Sequence, residues 1–513
     1  MDGKIRGRSR GLLQTGGRRT AGPVEALDRL VPKMAFAATA SLFTTALLAL
    51  SAGPARAQVQ GKATTFQSPN GVEERCVAAT PIPGGVYSDN DRAEEARLCS
   101  IDLWAPTVAL CPKTWSTSPG TLVYDVSSGE FANDRARFER EACASGGRAI
   151  RSSAGELAKH KQSVNTVESS ATFSTSSLLY YHLSRYFDTA VNVPVSVFRS
   201  IDREAHLEHV TEAGLRFTSG KKSLGMIHAG WQALRDGERN PGSYSPTDEL
   251  FTPDRSSIYG ILILTSGERY GSEINGTRES GWGSGQNRDF QNTAAYLALR
   301  SEKPLAAAIE EGLAEARLNP KLDRDLGSDV SDAQMVYWMQ ELTEIVLLVF
   351  IFSQQDRIGN IDYTLAWTWV EDGRVRSRDA NGTEVPADLA DAAPILLKRT
   401  WINDNDAGVR TTYTDFAEKT HMVEKLRRMN PDTYRKLIAL DDDFSTGGPL
   451  YAYLGDTFGL TSSQLGAIVR HTAHAAATLR ENCRAGDLRF DLDPERFLVD
   501  GTTPETDLSC EAP

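Results

Sequence analysis

The sequence is poor in the signatures of common chemistries. It has no Cys-x-x-Cys pair, so neither a zinc ribbon nor a dithiol redox centre is encoded. After residue 57 there is no Gly-x-Ser-x-Gly of the kind that carries a serine hydrolase nucleophile. The eight histidines include two His-x-x-His pairs, His206/His209 and His471/His474, but no His-Glu-x-x-His. On a helix each pair shares a face able to hold a metal, although surface and capping roles are the commoner use. Basic charge is also short. Lys and Arg total 56 against 68 Asp and Glu, a net −12, which argues against a surface built for nucleic acid or anionic lipid. No internal repeat is present.

What is there begins with a leader. Met34–Ala57 places an apolar run after Lys33 and ends in Ala55-Arg56-Ala57, the pattern of a secretory signal peptide with cleavage before Gln58. Residues 1–57 carry nine Lys/Arg and three Asp/Glu, so their removal takes the net charge from −12 to −18. All six cysteines (Cys76, Cys99, Cys111, Cys143, Cys483 and Cys510) follow that point, an even number suited to disulfides in an exported chain. The economical partition is two bridges within the first four and one between Cys483 and Cys510. The expected location is periplasmic or extracellular, with no stable membrane span in the mature chain.

Four segments are expected: leader and signal peptide (1–57), a cysteine-rich, loop-rich region (58–150), and two further parts, 151–265 and 266–513. Strands are expected at Gly120–Val126, Glu156–Val164, Asn192–Arg199, Ile258–Thr265 and Ile395–Ile402. Tyr363–Val370 and Val375–Arg378 flank an Asp372-Gly373 turn and read as a hairpin. Leu178, Leu179, Leu183, Tyr186 and Phe187 recur at helical period behind a Ser174-Thr175 cap. Gly267–Gln286 is expected to be a long surface loop. Ala333–Phe352 is the most apolar segment, yet carries Gln340, Glu341 and Glu344, so it reads as a core helix. Helices are also expected at Leu305–Arg317, from Asp415 to about Arg428, and over Pro431–Leu440 and Ser462–Asn482.

Two acidic motifs carry the chemistry. Gln355-Asp356-Arg357-Ile358-Gly359-Asn360 follows the core helix, and Asn403-Asp404-Asn405-Asp406-Ala407-Gly408 follows a strand. Phosphoryl transfer needs one carboxylate to orient the attacking hydroxyl and others to hold a metal, and Mg²⁺ takes one or two carboxylates with phosphate and water oxygens. Asp356 and Asn360 fit the catalytic loop; Asp404, Asp406 and Asn360 fit the metal. Taken singly, each motif also reads as an Asp/Asn/Gly turn. An EF-hand fails because no glycine stands at the sharp turn and no glutamate closes the loop. Lys159 and Lys161 share a face of the Glu156–Val164 strand.

The segment Leu179-Tyr180-Tyr181-His182-Leu183-Ser184-Arg185-Tyr186-Phe187, followed by Val193-Pro194-Val195, resembles the helix-to-strand segment of atypical secretory-pathway kinases. It is similar also to phosphoinositide-kinase-like and spore-coat-kinase-like families. The order lysine strand, helix, Asp356-Arg357 loop and Asp404-Asn405 motif runs over about residues 150–410. The resemblance implies an α+β, two-lobed protein-kinase-like fold with a disulfide-containing N-terminal extension and a helical C-terminal part. It implies ATP with Mg²⁺ or Mn²⁺, phosphates held by Lys161 or Lys159, Asp356 orienting an acceptor hydroxyl, Asp404 on the metal, and Ile258–Thr265 near the hinge. The family's helix glutamate falls here near Ser176 or Ser177, with Glu168 upstream. Asn360 follows Asp356 by four positions and Ile361 stands at five. Phosphate-loop candidates before Lys161 are Ser145-Gly146-Gly147 and Ser152-Ser153-Ala154-Gly155. The expected function is therefore an exported kinase acting on a protein, glycan or small hydroxyl acceptor. The alternatives are an inactive pseudokinase serving as an envelope or extracellular interaction module and, since paired carboxylates carry no sequence spacing, a carboxylate-dependent hydrolase.

Overall fold

The cysteine-rich region and the lysine strand belong to one sheet. A computed structural model describes residues 59–146, 150, 153–164, 172–410 and 412–511. The expected leader, Glu168, Gly147 and Ser152 lie outside the described residues. The seven strands are β1 (Gly61–Gln67), β2 (Glu73–Ala79), β3 (Val108–Pro112), β4 (Thr121–Asp125), β5 (Gly155–Gln162), β6 (Ser196–Asp202) and β7 (Ser257–Ile263). They lie in the order β1-β2-β6-β7-β5-β4-β3, with antiparallel neighbours throughout. Thus β3, β4 and β5 form a meander, and β7 returns beside β5 with Lys161 opposite Ile261.

Helices α1 (Asp89–Leu98) and α2 (Arg135–Ser145) carry the disulfides of this half. Cys76–Cys99 ties β2 to the end of α1, and Cys111–Cys143 ties β3 to α2. The third bridge is Cys483–Cys510, so the expected partition is observed. The bridges span 23, 32 and 27 residues. Loops of that length gain about 3–4 kcal/mol each from cross-linking. Three disulfides fit an oxidising compartment.

Helix α3 (Thr175–Phe187) follows β5 and packs on β6 and β7. Its leucine and aromatic stripe is buried, and the helix ends at Asp188 in the left-handed region, with φ 53°. Ser174 stands at the cap position but caps nothing, because its Oγ is engaged with Ser163 Oγ at 3.1 Å.

Between β6 and β7 lies α4 (Gly225–Arg239); the second half is mainly helical: α5 (Ala294–Leu299), α6 (Leu305–Ala316), α7 (Asp332–Ile351), α8 (Pro431–Thr446), α9 (Pro449–Phe458) and α10 (Ser462–Arg484). A second sheet joins β8 (Glu268–Arg269), β9 (Ile361–Glu371), β10 (Arg374–Asp379) and β11 (Ile395–Ile402), with β9 central. The β9–β10 turn is Asp372-Gly373, at φ 51° and 69°, the paired positive angles of a tight hairpin.

Helix α7 is the one candidate span among the described residues, and it is buried throughout. Its carboxylates are satisfied internally. Glu341 receives Arg399 Nε at 2.9 Å and Thr400 Oγ1 at 2.5 Å, and Glu344 receives the backbone N–H groups of Ala190 and Val191 at 3.0 and 2.9 Å. Burial pushes the Glu344 carboxyl up to about 7.

Two expectations fail. Gly267–Gln286 is not a surface loop: it contains β8 and a buried helical turn, Ser272–Asn275. Asn275 earns that burial by serving four backbone groups, the N–H of Gly359 and Ile361 and the carbonyls of Tyr270 and Ile361. The run from Asp415 to Arg428 is helical only over Phe416–Lys419, because His421 enters the left-handed region at φ 57° and breaks the ladder.

Arg399→Ala strands the fully buried Glu341. Chemical denaturation should find the variant about 3–5 kcal/mol less stable, the cost of breaking one side of a buried pair.

Candidate active site

Lys159 and Lys161 alternate with His160 along β5, so both lysines leave the same face of the sheet. His160 points to the other face, where its Nε2 meets the Arg199 carbonyl and its ring packs on His206. Lys161 Nζ donates to Asp404 Oδ1 at 3.0 Å and to Asp406 Oδ1 at 2.5 Å. The first half of the chain is thereby joined to the turn that follows β11.

That turn is held from several directions. The Asp404 carbonyl accepts from Gln354 Nε2 and from Arg357, which also donates to Asn405 Oδ1. The Asp406 carbonyl accepts from Phe173 N at 2.7 Å, and Gln355 N donates to the Ala407 carbonyl at 3.1 Å. Gly408 is needed because the chain passes against α3: a Cβ there would lie 2.8 Å from Ser176 Oγ and 3.1 Å from the Phe352 carbonyl.

Above the ion pair is a polar cavity of about 600 Å³, lined by Lys113, Lys159, Thr265, Arg269, Asn360 and Asp404 among others. Lys161 and Asp406 lie beneath it, each with a side chain less than one-tenth exposed, whereas the Asp404 side chain is one-third exposed. Burial alone would lower the Lys161 ammonium, but the two carboxylates raise it above its ordinary range. Lys161 in turn pulls Asp404 well below the usual carboxylate range, against its burial. Lys159 is lowered by burial, and its Nζ reaches Thr265 Oγ1 at 3.5 Å.

Asp356 stands half-buried beyond the turn. Burial raises its carboxyl, the Trp282 bond opposes that, and the charges of Asp404 and Asp406 add to the rise. Asn360 braces this loop: its Nδ2 donates to the Asp356 carbonyl at 2.9 Å, and its Oδ1 accepts from Arg269. All six residues expected from the sequence therefore belong to one neighbourhood. Asp406 differs in place from Asp404, since it lies under the cavity as the lysine's short partner.

Sequence reading missed three members, Lys113, Arg269 and Trp282, and had Asn403 only as part of the Asp404 motif. Lys113, on the β3–β4 turn, faces the cavity and is lowered to about 7 by burial, with Lys159 adding repulsion. Arg269 crosses the cavity floor to Asp362, to the Gly359 carbonyl and to Asn360. Asn403 Nδ2 fixes Asp362 Oδ2 at 2.7 Å. Trp282, 64% exposed, sets its Nε1 3.5 Å from Asp356 Oδ1 and packs edge-on against Phe416. A tryptophan inside a glycine-rich stretch was the one available signal; Lys113 and Arg269 had none. The second histidine pair shares one face: both rings pack on Phe350, His471 meets Ser353, and His474 approaches Glu418.

No family model matches this chain, and no curated protein matches it in sequence.

Lys161→Met removes the cation that holds Asp404 ionised. The depressed Asp404 pKa contributes stability above the unfolded carboxyl value that is lost as pH falls through the folded one. The variant's deficit, measured by chemical denaturation, should therefore hold steady from pH 8 to about 5 and shrink only as pH falls below about 4.

Proposed function

We propose that this chain is a phosphotransferase of kinase-like build, moving the γ-phosphoryl group of ATP to a hydroxyl acceptor. The observation that carries the reading is the contact of Lys161 with Asp404 and Asp406 under a polar cavity. The order of elements supports it: a three-strand meander with the lysine on its third strand, a helix, two more strands, then the Asp356 loop, a hairpin and the Asp404 turn. In this reading the sheet with α3 is one lobe, the helical half is the other, and residues after β7 are the hinge.

The donor set suits a magnesium or manganese nucleotide. Asp404 offers a carboxylate to the cavity, Asp362 lines the same cavity, and Mg²⁺ needs only one or two such groups beside phosphate oxygens. The metal, when bound, supplies charge neutralisation between the β- and γ-phosphates. Lys161, Lys159 and Lys113 hold phosphate oxygens. Asp356 takes the acceptor's proton as the acceptor oxygen bonds to the γ-phosphorus and the bond to the β–γ bridging oxygen breaks, with ADP leaving. Asn360 keeps Asp356 in place through its backbone carbonyl. Lys113, on the β3–β4 turn, takes the role of a phosphate loop.

A second reading is a pseudokinase, and Arg269 favours it. Its guanidinium already neutralises Asp362 and lies 3.9 Å from Asp404, where a metal would otherwise belong.

The purified chain should bind ATP only with Mg²⁺ or Mn²⁺, and Asp404→Ala should lose that binding by at least about tenfold. Asp356→Ala should keep binding and lose phosphate transfer by about 10²–10⁴-fold. Absence of metal-dependent nucleotide binding in the parent chain overturns the reading; binding without transfer supports the second one.

Lys113 adds a pH dependence. With its ammonium at about 7, it is charged below that pH and neutral above it, so ATP affinity should weaken from pH 6 to pH 8.5. Lys113→Met should flatten that slope in calorimetric titrations at matched metal concentration.

A further inference from the structure

A second cluster lies away from the cavity. Among the described residues, Asp415, Glu418 and His471 offer one carboxylate or imidazole ligand atom each, all within 4.8 Å of one another. They come from two parts of the chain: Asp415 and Glu418 from the segment after the Asp404 turn, His471 from α10. They line a small cavity of about 140 Å³ at the C-terminal end of α7. Neither the phosphotransfer reading nor the core uses them.

The cluster is incomplete as it stands. Asp415 is only 9% exposed; its Oδ1 accepts from Glu418 N at 3.0 Å, the Ser353 hydroxyl lies beside the carboxylate, and the buried Oδ2 makes no hydrogen bond of good geometry. Tyr413, on the same cavity wall, likewise has a buried hydroxyl without one. A buried carboxylate beside a second carboxylate is costly unless it takes a proton or meets a cation. The arginines on this wall do not supply it: Arg410 is paired with Glu249, and Arg470 is exposed. His471 Nδ1 lies 3.3 Å from the Ile351 carbonyl and 3.0 Å from Ser353 Oγ. A ring whose Nδ1–H donates to a backbone carbonyl keeps its Nε2 lone pair for a ligand, the usual support for a metal-bound imidazole. His474 Nδ1 is 3.4 Å from Glu418 but lies outside the group of three.

We propose that Asp415, Glu418 and His471 form a zinc site that clamps the segment after the Asp404 turn to α10. Two carboxylates with an imidazole suit zinc; magnesium and calcium prefer all-oxygen sets. The clamp has a structural consequence. Phe416 follows Asp415 directly and packs on Trp282, whose indole reaches Asp356. Zinc at Asp415 thereby steadies the aromatic wall beside the proposed base.

The test is calorimetric titration of the untagged, chelator-stripped chain with ZnCl₂, with MgCl₂ and CaCl₂ as controls. One zinc equivalent should bind, raise the melting temperature, and be retained in Asp404→Ala. Glu418→Gln and His471→Gln should each weaken it by at least about tenfold. Glu418 is exposed, so its variant should melt like the parent without metal, which separates lost binding from lost fold. No zinc binding, equal affinity in Glu418→Gln, or equal competition by magnesium overturns the proposal. The titration needs no nucleotide, so its outcome is independent of the phosphotransfer reading.

Discussion

The rest of the structure depends on where Lys161 finds its counter-charge. A buried ammonium is tolerable only if paired, and its partners come from a turn more than 240 residues later, between Asp404 and Asp406. That requirement brings the end of the second sheet under the first. The backbone follows: Phe173, Gln354, Gln355 and Arg357 all bond the same turn, so the loop carrying Asp356 and the start of α3 are fixed by one short stretch of chain. Low exposure makes the contact strong in Coulomb energy and costly to break from either side.

Electrostatics then separates the cavity from the surface. The chain is net negative, with 68 acidic against 56 basic side chains, whereas the cavity wall is balanced, with Lys113, Lys159 and Arg269 set against Glu156, Asp362 and Asp404. A charge-balanced pocket in an acidic body offers a large polyanion such as nucleic acid no basic surface to bind. Burial, with repulsion from neighbouring lysines, brings Lys113 and Lys159 down. In the phosphotransfer reading, a bound phosphate group would favour the charged form of these lysines.

Much of this was legible in the sequence, and unevenly so. Strand β11 matches its expected bounds, Ile395–Ile402, and α7 differs by one residue at each end, because strong β-branched content and a twenty-residue apolar run leave few alternatives. The disulfide partition followed from proximity along the chain. The Lys159, Lys161, Asp356, Asn360, Asp404 and Asp406 set was legible because each occupies a turn or strand position with a local signature. Lys113 and Arg269 were not, since a lysine in a loop and an arginine on a two-residue strand look like any surface cation. The burial of Ser272–Asn275 was hidden for a different reason. A polar asparagine becomes a core residue only when distant backbone groups, here those of Gly359 and Ile361, need its amide. No local pattern encodes that demand.

The place of Asp406 bears on how such a site would be controlled. In kinase-like enzymes the strand lysine pairs with a glutamate on the following helix, and moving that helix switches the pair. In the phosphotransfer reading the corresponding helix positions would be Ser176 and Ser177, both buried. The Gly408 backbone passes so close that a Cβ on it would crowd Ser176 Oγ, leaving no room for a glutamate at that position. Asp406, two residues upstream of Gly408, supplies the carboxylate instead. The lysine's partner and the proposed metal ligand Asp404 thus sit on one turn, two residues apart. In the phosphotransfer reading the pair is then set whenever the turn is set, and movement of α3 cannot release it. Control, if the site has any, would have to act on the turn or on the segment that follows it, which is where Asp415, Glu418 and His471 meet.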